Sequence, residues 1–247
     1  MNTYTKYFNM AQEGRLFQDV AAALGMTPRQ LWESDVDIFQ LLEAVESPAP
    51  GQLHGIFKAG ITMDLSYDPA TLTVTHVRLY HNGQLAEEFS GAMTAEAFLA
   101  GDWPGDVYGS NGDDYLYVDG ANKVFAGAGN DIIELNGSAV AYGQGGADTF
   151  VVMSSQGGHI TIADYQPGEK IFFHDYDDWQ SLVSSFQGVS ESGPAGFTLQ
   201  FGGPGGPQWS LTIQGTPLEQ MRVEDLLVGL AAHDQVYAPV YAAFGLL

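Results

Sequence analysis

Apolar residues fall at helical spacing near the start of the chain and change to strand-like alternation about a fifth of the way along it. Leu16, Val20 and Leu24 recur every four residues, and Gly25 is placed to stop a helix. Thr27-Pro28-Arg29-Gln30 offers a capping threonine, a proline at the first helical position and a glutamine three residues after the cap. Ser34-Asp35-Val36-Asp37 repeats the start signal before Ile38, Leu41, Leu42 and Val45, so three short helices are expected in residues 11–46. Ser47-Pro48-Ala49-Pro50-Gly51 is a linker by composition. Antiparallel strands are expected over 53–91, with His81-Asn82-Gly83-Gln84 as a hairpin turn between Val77/Leu79 and Leu85/Phe89. A brief helix from Thr94 to Ala100, closed by Gly101, follows.

The middle of the chain has a third kind of pattern. Gly109-Ser-Asn-Gly-Asp-Asp114-Tyr-Leu116, Ala126-Gly-Ala-Gly-Asn-Asp131-Ile-Ile133 and Gly143-Gln-Gly-Gly-Ala-Asp148-Thr-Phe150 place their aspartates 17 residues apart, since 131 − 114 = 148 − 131 = 17. A fixed period of this length belongs to a solenoid in which each repeat stacks on the next. Aligned by that interval, Leu116/Ile133/Phe150, Val118/Leu135/Val152 and Val107/Val124/Ala141 form apolar columns, the expected inner seams. Strand alternation turns Tyr108/Phe125/Tyr142 outward as an aromatic stripe. Turn chemistry explains one Gly/Asp loop easily, but poorly explains three in register.

Composition narrows the chemistry. Eight Lys and Arg against 30 Asp and Glu give a net charge of −22, which repels phosphate backbones and anionic membranes and suits a cation ligand. A superficial helix-turn-helix string, Val20 to Leu31, is set aside on that ground, and no nucleic-acid partner is expected. With hydrophobic residues at 45%, the acidity does not signal disorder. The absence of cysteine removes disulfides and thiolate chemistry. No stretch reaches the roughly 20 apolar residues of a membrane helix, and Met1 to Met10 lacks the pattern of a conventional secretory signal.

The three loops strongly resemble G-G-x-G-x-D-x-U-x, the calcium-binding nonapeptide of RTX (repeats-in-toxin) proteins. Gly157 to Phe172 is similar to the flank after the repeats in serralysin-type relatives, with Ile160 where their pattern has its first aspartate. The resemblance covers residues 105 to about 228. It implies a mainly β fold: a right-handed parallel β-roll with calcium-binding loops, flanked by a small N-terminal α+β region and a C-terminal β-sandwich-like flank with a helix. The division expected is 1–50 helical, 51–104 antiparallel β, 105–165 roll and 166–247 flank carrying an export signal. In the flank, Gly196–Phe201 and Gln208–Ile213 should pair as strands, and Thr216 should cap a helix holding Met221, Val223, Leu226 and Leu227. An almost uncharged tail, Val236 to Leu247, extends past the point where the family usually stops.

Calcium takes six to eight oxygens in irregular geometry, and glycine lets tight turns aim carbonyls inward while one aspartate per loop supplies charge. Carried over from the family, one Ca2+ site uses Ser110, Gly112 and Asp114 with Ala126, Ala128 and Asp131. A second uses Gly127, Gly129 and Asp131 with Gly143, Gly145 and Asp148, so Asp131 serves both. A third would take Gln144, Gly146 and Asp148 with Asp164. The opposite turns, Asp119–Lys123 and Asn136–Val140, carry no aspartate where the sixth position should fall and are each one residue short, so calcium is expected along one edge only. Relatives leave the cell through a one-step (type I) exporter that reads an uncleaved C-terminal signal, which implies secretion and calcium-triggered folding outside.

No His-Glu-x-x-His and no Gly-x-Ser-x-Gly occurs, so neither the protease nor the lipase activity of relatives carries over, and no catalytic residues are assigned. His54, His76 and His81 in the strand region could meet around a metal. Two functional readings follow: a non-catalytic extracellular matrix, adhesin-like or carbohydrate-binding protein, or a small secreted polysaccharide-active enzyme with an unrecognised site in residues 1–104. The acidic balance also allows the apolar tail to dock a partner or another copy.

Overall fold

The computed structural model describes residues 2–34, 36, 38–100, 105–120, 122–153, 157–191, 193–202 and 208–247; Asp35, Asp37 and Gly101, singled out above, lie outside them, as do the boundary at 104 and residue 121 of the Asp119–Lys123 turn. The chain is mainly β, and its contacts divide it into two units, 1–108 with 239–247, and 109–238.

The first unit is built from β1 (Thr3–Lys6), α1 (Met10–Leu24), α2 (Pro28–Trp32), β2 (Leu42–Glu46), β3 (Gln52–Phe57), β4 (Ile61–Asp68), β5 (Thr73–His81), β6 (Gln84–Met93), α3 (Ala95–Ala100) and β7 (Asp106–Tyr108). Asn9 and Thr27 each close a capping box at the start of α1 and α2, and Gly25 ends α1 in the left-handed region. The sheet runs β7-β1-β6-β5-β4-β3-β2, antiparallel except where β1 pairs with β7. Asn82 and Gly83 both have positive φ, as a two-residue hairpin with right-handed strand twist requires. Leu16, Val20 and Leu24 of α1 pack on Leu41, Phe57 and Ile61, while Phe98 of α3 covers Leu65, Val77, Phe89 and Met93.

Two expectations fail in this unit. The third helix is only a 3-10 turn, Ile38–Leu41, and Leu42–Glu46 continues as β2 paired with β3. Ser47–Gly51 is therefore a hairpin connection between them, not a linker. The strand partner outweighs the weak helical pattern.

The second unit comprises β8 (Tyr115–Asp119), β9 (Lys123–Phe125), β10 (Ile132–Asn136), β11 (Ala139–Tyr142), β12 (Thr149–Met153), β13 (Gly158–Ile162), β14 (Lys170–Phe173), α4 (Trp179–Ser185), β15 (Phe186–Glu191), β16 (Gly196–Phe201), β17 (Trp209–Gln214), β18 (Leu226–Val228) and the first part of α5 (Leu230–Phe244). Strands β8-β10-β12-β14-β18 form one parallel sheet. In a second, β9-β11-β13-β17 are parallel and β16 and β15 add antiparallel. Register follows the repeat: Ile132 pairs with Tyr115 and Val140 with Lys123, each 17 residues on. The next step lengthens, with Thr149 against Lys170 and Ala139 against Ile160, each 21 apart.

All three predicted apolar columns are buried, and Ile171, Phe173 and Ile162 extend them. Phe125 and Tyr142 stack 4.8 Å apart on the opposite face. The helix expected after Thr216 is absent: two 3-10 turns lead into β18, because Leu226–Val228 finds an open edge on β14. The apolar tail is helical. Val236 and Tyr237 are buried in this unit, where the Tyr237 hydroxyl donates to Glu134. Residues 239–247 belong to the first unit, where Phe244 packs on Phe17 and Trp32 and Gln18 Nε2 donates to the Ala243 carbonyl.

Candidate metal centre

Parallel pairing at a constant interval forces the three aspartate loops into one stack. Each loop sits immediately before a strand of the β8-β10-β12 sheet, so Asp114, Asp131 and Asp148 form a column, all buried. The Asp114 amide donates to Asp131 Oδ1 at 2.8 Å, and the Asp131 amide to Asp148 Oδ1 at 3.0 Å. One position earlier a second ladder runs the other way: the Asn130 amide donates to Asp113 Oδ1 at 2.7 Å, and the Ala147 amide to Asn130 Oδ1 at 3.0 Å. Ser110 donates to Asp114 from both its amide (2.6 Å) and its hydroxyl (3.1 Å).

These bonds leave Asp131 Oδ2 buried without a partner, while the Asp148 carboxyl, whose Oδ2 has no amide or cationic donor, shares a hydrogen bond with the carboxyl of Glu169. A buried anionic oxygen without a donor costs several kcal/mol as an order of magnitude, and protonation or a bound cation removes that cost. Burial pushes the Asp131 carboxyl up to about 8, reinforced by the charges of Asp148, Asp114 and Asp113 against the bond from the Asp114 amide. Burial and the Asp164 charge lift Asp148 to about 6 despite the bond from the Asp131 amide.

The glycines set how closely the loops approach. A Cβ on Gly127 would overlap the Ser110 carbonyl oxygen, one on Gly146 the Gly129 carbonyl oxygen, and one on Gly109 the Ala126 carbonyl oxygen. On Gly129 it would come 2.7 Å from the Gly112 oxygen. Thus the carbonyls of Ser110, Gly112, Ala126 and Gly129, all expected ligands, lie directly against a neighbouring loop. Among the other expected carbonyls, Gly127 O accepts from the Gly145 amide at 2.9 Å and Gly145 O from the Gly129 amide at 2.8 Å, each keeping one lone pair. Ala128 and Gly145 form a parallel bridge, and the Cβ of a residue at Gly143 would overlap Asp148 Oδ2. Two carboxylates per gap plus several carbonyls is a hard-oxygen donor set of the kind calcium uses. Among the described residues no three His, Asp or Glu side chains converge as a metal cluster. A column with one carboxylate per loop offers pairs, and the remaining oxygens would come from the backbone.

The fourth loop departs from the sequence reading. Asp164 accepts from the Gly143 amide (2.9 Å) and the Gln144 amide (3.0 Å), holding Gln144 in the left-handed region. Pairing of Thr149 with Lys170 sets Glu169, not Asp164, beside Asp148 in the carboxylate column. Asp164 stands 21 residues after Gly143 and so opens the loop that Glu169 ends. Glu169 was missed because 169 − 148 = 21 breaks the period and the acid is a glutamate. Its signal was Glu169-Lys-Ile171, which repeats the Asp-x-apolar ending of the loops. Burial, with the charges of Asp148 and Asp164, pushes Glu169 up to about 8.

A buried anchor fixes this loop. Asp225 accepts from Arg222 Nε and Nη2 (both 2.9 Å), Lys170 Nζ (2.7 Å), the Tyr165 hydroxyl (3.1 Å) and the Gly168 amide (3.1 Å). Those donors, Arg222 foremost, hold its carboxyl well below the usual carboxylate range.

The histidines of the first unit do not meet. His54 pairs with Asp64 at 2.6 Å, His76 with Glu88 at 2.7 Å and His81 with Asp19 at 3.0 Å. Three separate histidine–carboxylate contacts stand where the sequence allowed a single metal site. Comparison with protein-family models and with curated proteins finds no match.

Proposed function

We propose that the chain is a secreted calcium-binding protein of the RTX type, whose residues 109–173 form a parallel β-roll that folds on binding calcium after type I export, and which serves outside the cell as a non-catalytic matrix, adhesin-like or carbohydrate-binding component. The observation that carries this reading is the buried column Asp114, Asp131 and Asp148, in which Asp131 Oδ2 has no hydrogen-bond partner and the side chain of Asp148 meets another acid, Glu169. Two ions fit the gaps between the three loops. A third would lie between Asp148 and Glu169, with Gln144 and Gly146 supplying carbonyls. Calcium would neutralise the column and satisfy the orphan oxygen; the chain's own part is to stack the loops and hold the carbonyls in place.

Extracellular calcium modules have dissociation constants of about 10⁻⁴ to 10⁻³ M. At ten times that concentration each independent site adds about 1.4 kcal/mol, so two sites add about 3 kcal/mol, a large part of a net stability of about 5 to 15 kcal/mol. In calcium-poor cytosol the buried carboxyls of Asp131 and Glu169 must hold protons that the unfolded chain would release, which lowers the stability of the folded column at neutral pH and favours an open chain for export. Calorimetric melting in chelator and in millimolar calcium tests the proposal: a rise of several degrees with calcium, absent with magnesium, is expected. Equal melting points in both buffers would refute it.

A further inference from the structure

In the second unit, the core face of the sheet runs out into solvent at β15. Leu211 is wholly buried, its neighbour Leu199 half-buried, and the next residue in the row, Val189, 44% exposed. The adjoining row repeats the trend: Trp209 and Phe201 are buried and stacked at 4.3 Å, and Phe186, whose ring lies 5.7 Å from Phe201, is 44% exposed. A bulge between Phe186 and Gly188 keeps Phe186 and Val189 on this same face. From α4, Trp179 and Val183 stand one helical turn apart, 43% and 66% exposed, on the side next to buried Leu182. Among the described residues β15 pairs only with β16, so its outer backbone groups are open.

Two properties restrict what fits. The unpaired edge is a template on which another extended backbone can pair, exchanging hydrogen bonds to water for strand-to-strand ones. The rim is acidic: Asp177, Asp178 and Glu191 are exposed, and no lysine or arginine occurs between Ile171 and Met221. A second copy would bring a further −22 charges and the same acidic rim to the contact.

We propose that this edge docks an extended segment of another protein in which basic residues alternate with apolar ones, added beside β15 as a further strand. Its apolar side chains would continue the rows of Val189 and Phe186 and cover Trp179 and Val183, while its basic residues would meet Asp177, Asp178 and Glu191.

The test uses the full chain in calcium and a fluorescent, end-capped peptide of alternating lysine and valine, with a glutamate–valine peptide as control. Anisotropy should show binding of the lysine peptide that weakens with added salt, and at least tenfold weaker binding of the control. Val183→Lys and Val189→Lys, both at exposed positions, should each weaken binding at least tenfold, and hydrogen exchange of the β15 amides should slow in the complex. Val223→Lys, an equal charge change at another exposed position, should leave binding within twofold. Equal losses in all three variants would reduce the effect to general charge attraction and overturn the proposal. So would an absence of binding, or sedimentation showing a dimer that Val189→Lys dissolves.

Discussion

At Asp131 a buried carboxylate has one oxygen bonded to the Asp114 amide, the other without a partner, and a carboxylate on either side along the column. Its folded value, raised to about 8, fixes the direction of the pH effect. A raised folded value means that, without metal, the group stabilises most below its unfolded value near about 3.9 and loses that contribution as pH rises through about 8. Asp148 and Glu169, raised to about 6 and about 8, act in the same direction. The melting temperature in chelator should therefore fall between about pH 5 and about pH 8, and calcium should flatten the slope. Asp131→Asn removes the charge and one proposed ligand of the two gaps that flank it. Scanning calorimetry at about pH 8 should show the variant melting above the wild type in chelator, and gaining little from calcium. A variant as calcium-responsive as the parent would remove Asp131 from the site.

Elements formed by local chemistry or by a repeated interval were legible from sequence, while strands formed only for a partner outside any repeat were not. Capping boxes at Asn9 and Thr27 and the Asn82-Gly83 turn act within a few residues, and of these Thr27 and the turn could be read directly. The 17-residue period fixed the pairing of β8, β10 and β12 because a constant interval leaves only one register in which all the apolar columns face inward. Leu42–Glu46 and Leu226–Val228 became strands for partners at β3 and β14, which no local pattern announces, and the 21-residue step hid Glu169. Two substitutions test the loop element itself. Gly146→Ala adds a Cβ at φ +145° against the Gly129 carbonyl, and should cost about 1–3 kcal/mol by denaturant titration and weaken calcium binding. Asp225→Asn takes the anion from the half-exposed Arg222 and Lys170 and from the Tyr165 hydroxyl, and should cost about 1.5–3 kcal/mol, the range for hydrogen bonds to a charged group. Because Asp225 has a lowered folded value, its contribution is lost only as pH falls through that value, so the wild type should resist mild acid better than the variant in the same titration.

On the scale of the whole molecule, the first unit takes in residues from both ends of the chain. Residues 239–247 pack Phe244 on Phe17 and Trp32, and at Gly14 even a methyl group would strike the Ala243 carbonyl. Val240 has no exposed surface. The apolar tail thus turns its buried side chains to its own chain, not to a second copy. Completion of the unit around α1 then requires residues 239–247. Removing residues 239–247 uncovers this apolar surface and deletes Val240, the one fully buried side chain among them, together with half-buried Phe244; a fully buried side chain is worth about 2–5 kcal/mol. Hydrogen exchange should speed at the amides of α1, where protection depends on that cover, while the calcium-induced stabilisation of residues 109–173 persists. If α1 stays protected in the truncated chain, the tail is not part of the unit's core. If the chain instead dimerises only when the tail is present, by sedimentation, the tail serves a second copy after all.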